Sequence, residues 1–248
     1  MVHSLTDLHT HILPGVDDGA KDLETSLQML QMEKASGVNR VALTPHFYPL
    51  REPFDEFVAR RQQAFEALTA AWDGETMPEL KLGVEVRYSP QLAEFDLRQL
   101  TIGDSDYMLL ELSNTEVPAH IGPVVDIIMQ QGITPILAHI ERCTYFRREP
   151  ELLHQIIARG ALAQVSAKAF RGKRDRKFIF PCIINGLAHF IASDAHTPQN
   201  GNGLGDIVQE LDAELVDRAE SFARAIWNNE CPPAFGIYEL KRGLFGYR

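Results

Sequence analysis

The sequence has few cysteines and no long hydrophobic run. Its three cysteines, Cys143, Cys182 and Cys231, are odd in number and far apart, without a CxxC pair. This pattern argues against a disulfide framework and against a thiolate metal site. No stretch approaches the roughly 18 uninterrupted apolar residues of a membrane span, and no basic region followed by an apolar core opens the chain. We therefore expect a cytoplasmic protein that is not inserted in a membrane.

Positive charge is also scarce. Asp and Glu outnumber Lys and Arg by 34 to 24, which gives a formal net charge of -10. Because this balance opposes the phosphate attraction on which duplex nucleic-acid binding depends, we expect no nucleic-acid partner. Hydrophobic residues make up 45% of the 248 residues, and no low-complexity tract or linker separates them. Residues 1–248 are therefore predicted to form a single globular domain.

Short apolar runs alternate with longer segments of helical periodicity. The apolar runs predict seven strands, at residues 5–8, 40–44, 80–86, 107–112, 135–138, 162–165 and 189–192. The other segments predict helices at residues 23–36, 54–72, 90–100, 121–131, 149–160, 176–187, 204–211 and 213–229. Strands that alternate with helices in this way form βα units and parallel sheets. The predicted fold is therefore α/β, a distorted seven-stranded (β/α) barrel of the TIM-like kind.

Histidines and carboxylates follow six of the seven predicted strands. In α/β barrels the reactive groups come from the carboxyl ends of the strands, so these side chains are expected to meet at one end of the barrel. The candidate metal ligands are His9, His11, Asp18, His46, Glu85, Glu111, His139, Asp194 and His196. His9 and His11 are two residues apart on an extended segment, so both side chains leave the same face and can share one ion.

The types of donor indicate which metals would suit this site. Imidazoles and carboxylates without thiolates favour manganese, iron or zinc over calcium. The candidate ligands are too many for one ion, so we predict two or three divalent ions, manganese or iron first and zinc as an alternative. Adjacent ions suit phosphoryl transfer, because a bridging hydroxide can attack phosphorus while the ions offset charge on the leaving oxygen. The sequence has no GxSxG or CxxxxxR motif, which disfavours a serine or cysteine nucleophile.

Two basic features lie near the predicted ligands. Arg142 follows His139 by three residues, and its guanidinium could clamp a phosphate through paired hydrogen bonds. The alternative for Arg142 is an ion pair with Glu141 or with a surface carboxylate. Residues 168–177, KAFRGKRDRK, carry six basic side chains directly after the sixth predicted strand. This predicted loop could attract an anionic phosphopeptide, although such charge runs are more commonly solvated loops without a ligand.

Several motifs in the chain resemble those of a known superfamily. In chain order they are DLHTHILPGVDDGAKDLETSLQML, VALTPHFYP, GVEVRYSP, LLELS, ILAHIERC and IASDAH. They resemble the PHP (polymerase and histidinol phosphatase) superfamily and, more narrowly, its bacterial capsular and exopolysaccharide protein-tyrosine phosphatases. The likeness runs from Asp7 to His196, and its HILPGVDDGAKD stretch is more specific than the HxH motif of the whole superfamily.

The resemblance implies a PHP-type barrel with a three-metal site. It implies hydrolysis of phosphotyrosine on the bacterial tyrosine autokinases that control capsular or exopolysaccharide synthesis. Matched residue by residue, it implies one ion on His9, His11, Glu85 and Asp194, a second on Glu85, Glu111 and His139, and a third on Asp18, His46 and His196. It also implies that Arg142 contacts the phosphate.

Other functions stay open at this point. A small-molecule phosphatase of the histidinol-phosphate type would use the same ligands in a closed pocket. A metal-dependent amide or lactone hydrolase would carry a bridging lysine after the fourth strand, where this chain has Glu111. A non-enzymatic scaffold of the polysaccharide export machinery would not need so many mutually repelling polar groups. Exonuclease activity is disfavoured by the acidic balance of the chain.

Overall fold

The computed structural model describes residues 4–74, 76–198, 203–243 and 246–247. Its strands are β1 (Leu5–Thr10), β2 (Val38–Leu43), β3 (His46–Phe47), β4 (Glu79–Leu82), β5 (Glu85–Arg87), β6 (Tyr107–Glu111), β7 (Thr134–Leu137), β8 (Leu162–Ser166), β9 (Phe190–Ala192), β10 (Arg242–Gly243) and β11 (Gly246–Tyr247). Each of the seven predicted strand regions contains a strand, and the α/β class is confirmed.

Helices connect most of these strands. They are α1 (Leu23–Ala35), α2 (Phe54–Ala71), α3 (Ile121–Gln130), α4 (Thr144–Arg148), α5 (Pro150–Ala158), α6 (Lys173–Ile184), α7 (Leu204–Val208) and α8 (Ala213–Trp227). Short 3-10 helices span Pro90–Glu94, Leu97–Leu100, Ile140–Arg142 and Ala167–Arg171. Within the described ranges, no helix is both long enough and apolar enough to cross a bilayer.

The first nine strands are parallel and lie in two ladders that curl into part of a barrel. One ladder has the order β1-β2-β4, and the other has the order β3-β5-β6-β7-β8-β9. β1 also meets the segment after β9, where Asp194 N donates to His9 O at 2.9 Å and His11 N donates to Ala195 O at 2.8 Å. The parallel arrangement agrees with the sequence, whereas a closed barrel of seven continuous strands stays a prediction.

The two ladders separate just after the second predicted strand and within the third. Pro45 lies between β2 and β3, and because proline has no N–H it cannot donate to a ladder. The predicted strand at 80–86 is broken at Gly83, where a Cβ would lie 3.0 Å from Thr44 Cγ2. The two breaks are therefore side by side. Beyond them, His46 and Glu85 begin the short strands β3 and β5 and pair with each other in register.

Two further predictions about local structure are wrong. The helix predicted at 90–100 is two 3-10 helices, because the side chains of Ser89 and Asp96 each accept a hydrogen bond from the backbone N–H two residues ahead and so start a new turn. The basic segment at 168–177 is not a loop. It consists of the end of a 3-10 helix, Ala167–Arg171, and the beginning of α6.

Helices cover both faces of the curled sheet. Alternate strand residues such as Leu8 and Leu109 pack with Phe222 and Ile226 of α8 in one cluster. Met108 and Leu110, the sequence neighbours of Leu109, point the other way and join a larger cluster that includes Leu30 of α1. A parallel sheet with both faces covered leaves its strand ends as the place where polar side chains can gather.

Glu220 of α8 is expected to make the folded state less stable as pH rises. Its carboxyl group accepts hydrogen bonds from Thr6 N at 2.9 Å and from Thr6 Oγ1 at 2.7 Å. Burial raises the pKa of Glu220 from 4.5 to about 7. Because the folded pKa is the higher one, stability is full below pH 4.5 and falls by about 3 kcal/mol as pH rises through 7.

Urea unfolding at pH 5 and pH 8 measures this effect. The loss of unfolding free energy between the two pH values should shrink in Glu220→Gln. It should persist in Glu214→Gln, which changes an acidic residue in the first turn of the same helix. An equal pH-dependent loss in both variants would show that Glu220 is not its source.

Candidate metal centre

All nine candidate ligands lie at one end of the sheet. They belong to the ends of β1 and β6, to the starts of β3 and β5, or to the turns after β1, β7 and β9. Their donor atoms form four overlapping groups, within 4.8 Å in each group: His11, Asp18, His46 and His196; His9, Glu85 and His139; His9, His11 and Asp194; His46, Glu85 and Glu111. The structure therefore brings together every ligand that the sequence predicts.

Four donor atoms surround one point between β1, β5 and the end of β9. Glu85 Oε2 lies 3.2 Å from His9 Nε2 and 3.3 Å from His11 Nε2, and the two nitrogens are 3.2 Å apart. Asp194 Oδ1 lies 3.7 and 3.5 Å from the same two nitrogens. Ligands about 2.1 Å from one ion are about 3.0 to 3.4 Å from each other. The four atoms are thus spaced approximately as the ligand shell of a single ion.

Glu85 connects these four atoms to the rest of the ligands. Its Oε1 lies 2.7 Å from His139 Nε2, and its Oε2 lies 2.9 Å from His46 Nδ1. Glu111 reaches the same region, and its Oε2 also lies 3.0 Å from Arg87 Nη1. The fully buried Glu85 side chain therefore has the position that a bridging carboxylate requires.

An outer group faces solvent. Asp18 Oδ1 lies 3.6 Å from His46 Nε2 and 3.5 Å from His196 Nε2. The ring of His196 stacks on that of His11 with centroids 3.8 Å apart, which ties the outer group to the buried one. The Asp18 side chain is 73% exposed, so this is the side from which a substrate can approach.

Buried carboxylate oxygens at the centre fit a cation. Within the described residues, Glu85 Oε2 and Asp194 Oδ1 are buried and accept no hydrogen bond. A buried polar atom without a partner costs roughly 1–3 kcal/mol. Divalent ions bound between these oxygens and the nearby imidazoles would remove that cost. The residues present therefore fit a cluster of metal ions.

The charges at the centre shift the pKa values of the ligands. Burial raises the pKa of Glu85, but His9 and His11 outweigh burial and hold that pKa well below its usual value. Burial raises the pKa of Asp194 as well, but His11, His9 and Arg142 outweigh burial and lower that pKa. Burial lowers the pKa of His9 and of His11, yet nearby carboxylates raise both above 6.5. The site therefore holds ionised carboxylates whose field favours cations.

Two of the ligands lie on strained backbone. His139 has a φ of 31° and Asp194 a φ of 55°, in the left-handed region that residues with a Cβ seldom adopt. Each stands two residues beyond the end of its strand, β7 or β9. Strain of this kind persists where the surrounding structure supports it and is concentrated at functional sites. The backbone therefore supports the same two positions that the side-chain geometry indicates.

Two residues that the sequence analysis missed orient the histidines. Asp17 Oδ2 accepts a hydrogen bond from His11 Nδ1 at 2.6 Å, and Gln164 Oε1 accepts one from His9 Nδ1 at 3.3 Å. With Nδ1 engaged, Nε2 of each imidazole is left to face the other ligands. Asp17 stands beside Asp18 in the DDG motif, which was its one signal in the sequence. Gln164 lies inside a strand and has no such signal.

Asp17→Asn is expected to weaken metal affinity by roughly 10- to 100-fold. Burial raises the pKa of Asp17, but the hydrogen bond with His11 lowers it to about 2, so an ionised group holds the imidazole. Asp17 Oδ2 also accepts from His46 N at 2.9 Å. Competition with a chromogenic chelator measures the affinity.

The matched control for this change is Asp22→Asn. Asp22 is the N-cap residue of α1 and contacts Thr25 rather than a ligand, and asparagine caps helices equally well. The metal affinity of the Asp22→Asn variant should equal that of the unchanged protein. Unaltered affinity in Asp17→Asn as well would contradict an orienting role for Asp17.

Two basic side chains meet at the rim of the ligand cluster. Arg142 Nη2 and Lys168 Nζ both donate to Asp194 Oδ2, the lysine at 2.9 Å. The alternative ion pair between Arg142 and Glu141 does not form: Arg142 pairs with Asp194, and the Glu141 carboxylate accepts from Ser166 N. The Arg142 side chain is 31% exposed and that of Lys168 is 49% exposed. Both cations are therefore accessible to an anion that reaches the cluster.

Sequence comparisons identify relatives of the whole chain. Residues 5–204 match the sequence model of the family described as capsular polysaccharide synthesis, CpsB/CapC. The chain is 30% identical over 258 residues to the tyrosine-protein phosphatase YwqE of Bacillus subtilis (strain 168), covering 98% of this chain and 100% of the relative. It is 30% identical over 202 residues to the putative tyrosine-protein phosphatase CapC of Staphylococcus aureus, covering 79% and 78%.

Solved structures give the same relationship. The chain superposes with a TM-score of 0.82 on a crystal structure from work on YwqE of Bacillus subtilis and CpsB of Streptococcus pneumoniae, described there as metal-dependent tyrosine phosphatases. The match has 26% identity and covers 96% of this chain and 100% of the other. A histidinol phosphate phosphatase from Lactococcus lactis shares the fold, with a TM-score of 0.57 and 13% identity over 87% of this chain and 94% of its own. The chain belongs to the CpsB/CapC family of capsular polysaccharide synthesis proteins.

Proposed function

We propose that the protein is a metal-dependent phosphatase that hydrolyses phosphotyrosine in proteins. The observation that carries this proposal is the convergence of the histidines and carboxylates on one point, with Arg142 and Lys168 at its rim. A cluster for several ions beside two cations suits the binding and cleavage of a phosphate ester. The relatives named tyrosine-protein phosphatases support phosphotyrosine as the substrate.

Three groups of side chains would hold the metal ions. By the family resemblance they are His9, His11, Glu85 and Asp194; Glu85, Glu111 and His139; and Asp18, His46 and His196. In the structure the donor atom of Glu111 groups with those of Glu85 and His46 rather than with that of His139. Manganese or iron suits this mixture of imidazoles and carboxylates, with zinc as the alternative. Bound ions would supply Lewis-acid stabilisation of the phosphoryl oxygens and lower the pKa of water to about 7.

Arg142 and Lys168 would bind the remaining oxygens of the phosphate. Both donate to Asp194 at the rim, so they are already held beside the place where the phosphate would lie. A guanidinium offers paired N–H groups that match two phosphate oxygens. The leaving phenolate, with a reference pKa of about 10, departs more readily than an alkoxide. Tyrosine can therefore leave without a strong general acid, which favours phosphotyrosine over phosphoserine.

The physiological substrate that we propose is the tail of a bacterial tyrosine autokinase that controls capsular or exopolysaccharide synthesis, in the cytoplasm. Membership of the CpsB/CapC family supports the link to polysaccharide synthesis. We also propose that the two ladders act as one distorted seven-stranded barrel. The hydrogen bonds between β1 and the segment after β9 support this closure.

Hydrolysis assays after chelation and reloading test the proposed function. Purified protein would be stripped with EDTA, reloaded with manganese, iron(II) or zinc, and given a phosphotyrosine peptide, a phosphoserine peptide or histidinol phosphate. We expect metal-dependent release of phosphate from the phosphotyrosine peptide. Preferential turnover of histidinol phosphate would instead indicate a small-molecule phosphatase, and no turnover with any metal would favour a scaffold.

A further inference from the structure

A cavity of about 370 Å³ lies next to the candidate metal centre. Its lining residues are Tyr48, Pro49, Leu50, Arg51, Arg87, Tyr88 and Ser89. It adjoins the ligands on two sides. The Tyr48 ring lies 5.3 Å from the His46 ring between centroids, and Arg87 Nη1 lies 3.0 Å from Glu111 Oε2. A peptide whose phosphotyrosine reached the metals would therefore have a neighbouring residue within reach of this cavity.

The charge of the cavity differs from that of its surroundings. The chain carries a net charge of -10, and the adjoining candidate ligands include four carboxylates, yet the charged residues that line the cavity are two arginines. Arg87 is already paired with Glu111. Arg51 is exposed, and within the described part of the chain it pairs with no carboxylate; its guanidinium lies 4.6 Å above the centre of the Tyr48 ring.

The Tyr48 ring and the local backbone give Arg51 a defined position. Arg51 N donates to Tyr48 O at 2.9 Å, which closes a turn. A guanidinium held on an aromatic face loses less freedom when it binds a second partner, and its edge remains available for paired hydrogen bonds to a carboxylate. Tyr88, which also lines the cavity, is held by a hydrogen bond that its hydroxyl donates to Ala119 O. The cavity is therefore organised around one available cation.

We propose that this cavity binds an acidic residue adjacent to phosphotyrosine, with the carboxylate on Arg51. This inference rests on the proposed function and specifies its substrate as an acidic phosphopeptide. The occupant follows from charge complementarity, because Arg51 is the available cation of the cavity, and planar guanidinium–carboxylate pairing is specific. Two successive residues of an extended peptide are about 3.3 to 3.6 Å apart along the chain, so a directly adjacent residue can enter while the phosphate is on the ligands.

The test compares two phosphotyrosine peptides that differ in both neighbours of the phosphotyrosine, glutamate in one and alanine in the other. The manganese-loaded protein is assayed for kcat/KM, and for Kd by fluorescence polarisation with peptides that carry a non-hydrolysable phosphonate. We expect an approximately threefold to tenfold preference for the glutamate peptide, mainly in KM and Kd, that decreases with salt. Arg51→Ala should remove the preference, and Arg51→Lys should restore part of it.

The control variant is Arg176→Ala. Arg176 lies in the basic segment at 168–177 and packs over Phe180, and this variant should keep the preference for glutamate. If Arg176→Ala lost the preference for the glutamate peptide while Arg51→Ala kept it, the proposal would be overturned. The peptide would then be assigned to the basic segment. Equal binding of both peptides by the unchanged protein would also overturn it. Absence of turnover together with an Arg51-dependent binding preference would reject the phosphatase function while supporting the acidic-residue site.

Discussion

Glu85→Gln should lower kcat/KM for a phosphotyrosine peptide by about 10³-fold and reduce the metal content of the purified protein. Glu85 is fully buried and lies within 2.7 to 3.3 Å of four imidazoles. Glutamine has nearly the same shape but carries no charge, and its amide nitrogen cannot act as an anionic bridge between ions. The change would therefore remove the proposed bridge without removing volume from the core.

Metal analysis and kinetics on the same samples measure the effect. The matched control is Glu33→Gln, because Glu33 is also a buried glutamate, with 7% of its surface exposed. Burial, followed by the charges of Asp7 and Asp206, raises the pKa of Glu33 well above its usual value, so the surroundings of Glu33 already disfavour the charge that glutamine lacks. We expect this control to keep its metal and its activity. Full metal content and activity in Glu85→Gln would reject Glu85 as the bridging ligand.

Arg142→Ala should lower kcat/KM by about 10²-fold and leave the metal content unchanged. The reason is that Arg142 is proposed to bind phosphate oxygens, whereas Asp194, to which it donates, would stay in place to hold an ion. Arg142→Lys should recover only part of the activity, since an ammonium group lacks the paired N–H groups of a guanidinium. The measurements are kinetics with a phosphotyrosine peptide and metal analysis of each variant.

Arg159→Ala is the control for Arg142. Arg159 pairs with Asp126, and its side chain is 44% exposed. Arg159→Ala should therefore change neither kcat/KM nor the metal content. If Arg142→Ala instead lost metal in proportion to activity, the main role of Arg142 would be to position Asp194. The proposed phosphate contact would then be wrong.

The convergence of the candidate ligands could be predicted because strand periodicity is a strong signal. Each apolar run locates a strand, and parallel strands place their carboxyl ends together, so His139 and Asp194 could be assigned to one site although 55 positions separate them. The orienting residues could not be found in this way. Whether Asp17 or Asp18 faces His11 depends on the path of the loop after β1, which no periodic pattern describes.

The errors in the fold have local causes. The break after the second predicted strand involves Pro45, and the break within the third depends on the packing of Gly83 against Thr44, which is a tertiary contact. The helix predicted at 90–100 had suitable apolar spacing, but side-chain hydrogen bonds at Ser89 and Asp96 compete with helix formation. The partner of Arg142 was also unpredictable, because Asp194 comes from a distant strand whereas Glu141 is its neighbour in sequence.

The meeting of β1 with the end of β9 determines when the site can be completed during biosynthesis. Asp7 accepts hydrogen bonds from Ser193 N across 186 residues of sequence, and His9 and Asp194 face each other at the same junction. A loop of this length must close before those groups meet, and such distant contacts form slowly. His9 and His11 therefore leave the ribosome long before their partner carboxylate has been synthesised. A nascent chain that stops before β9 has only part of the candidate ligand set, so the complete set can assemble only after the segment that follows β9 has left the ribosome.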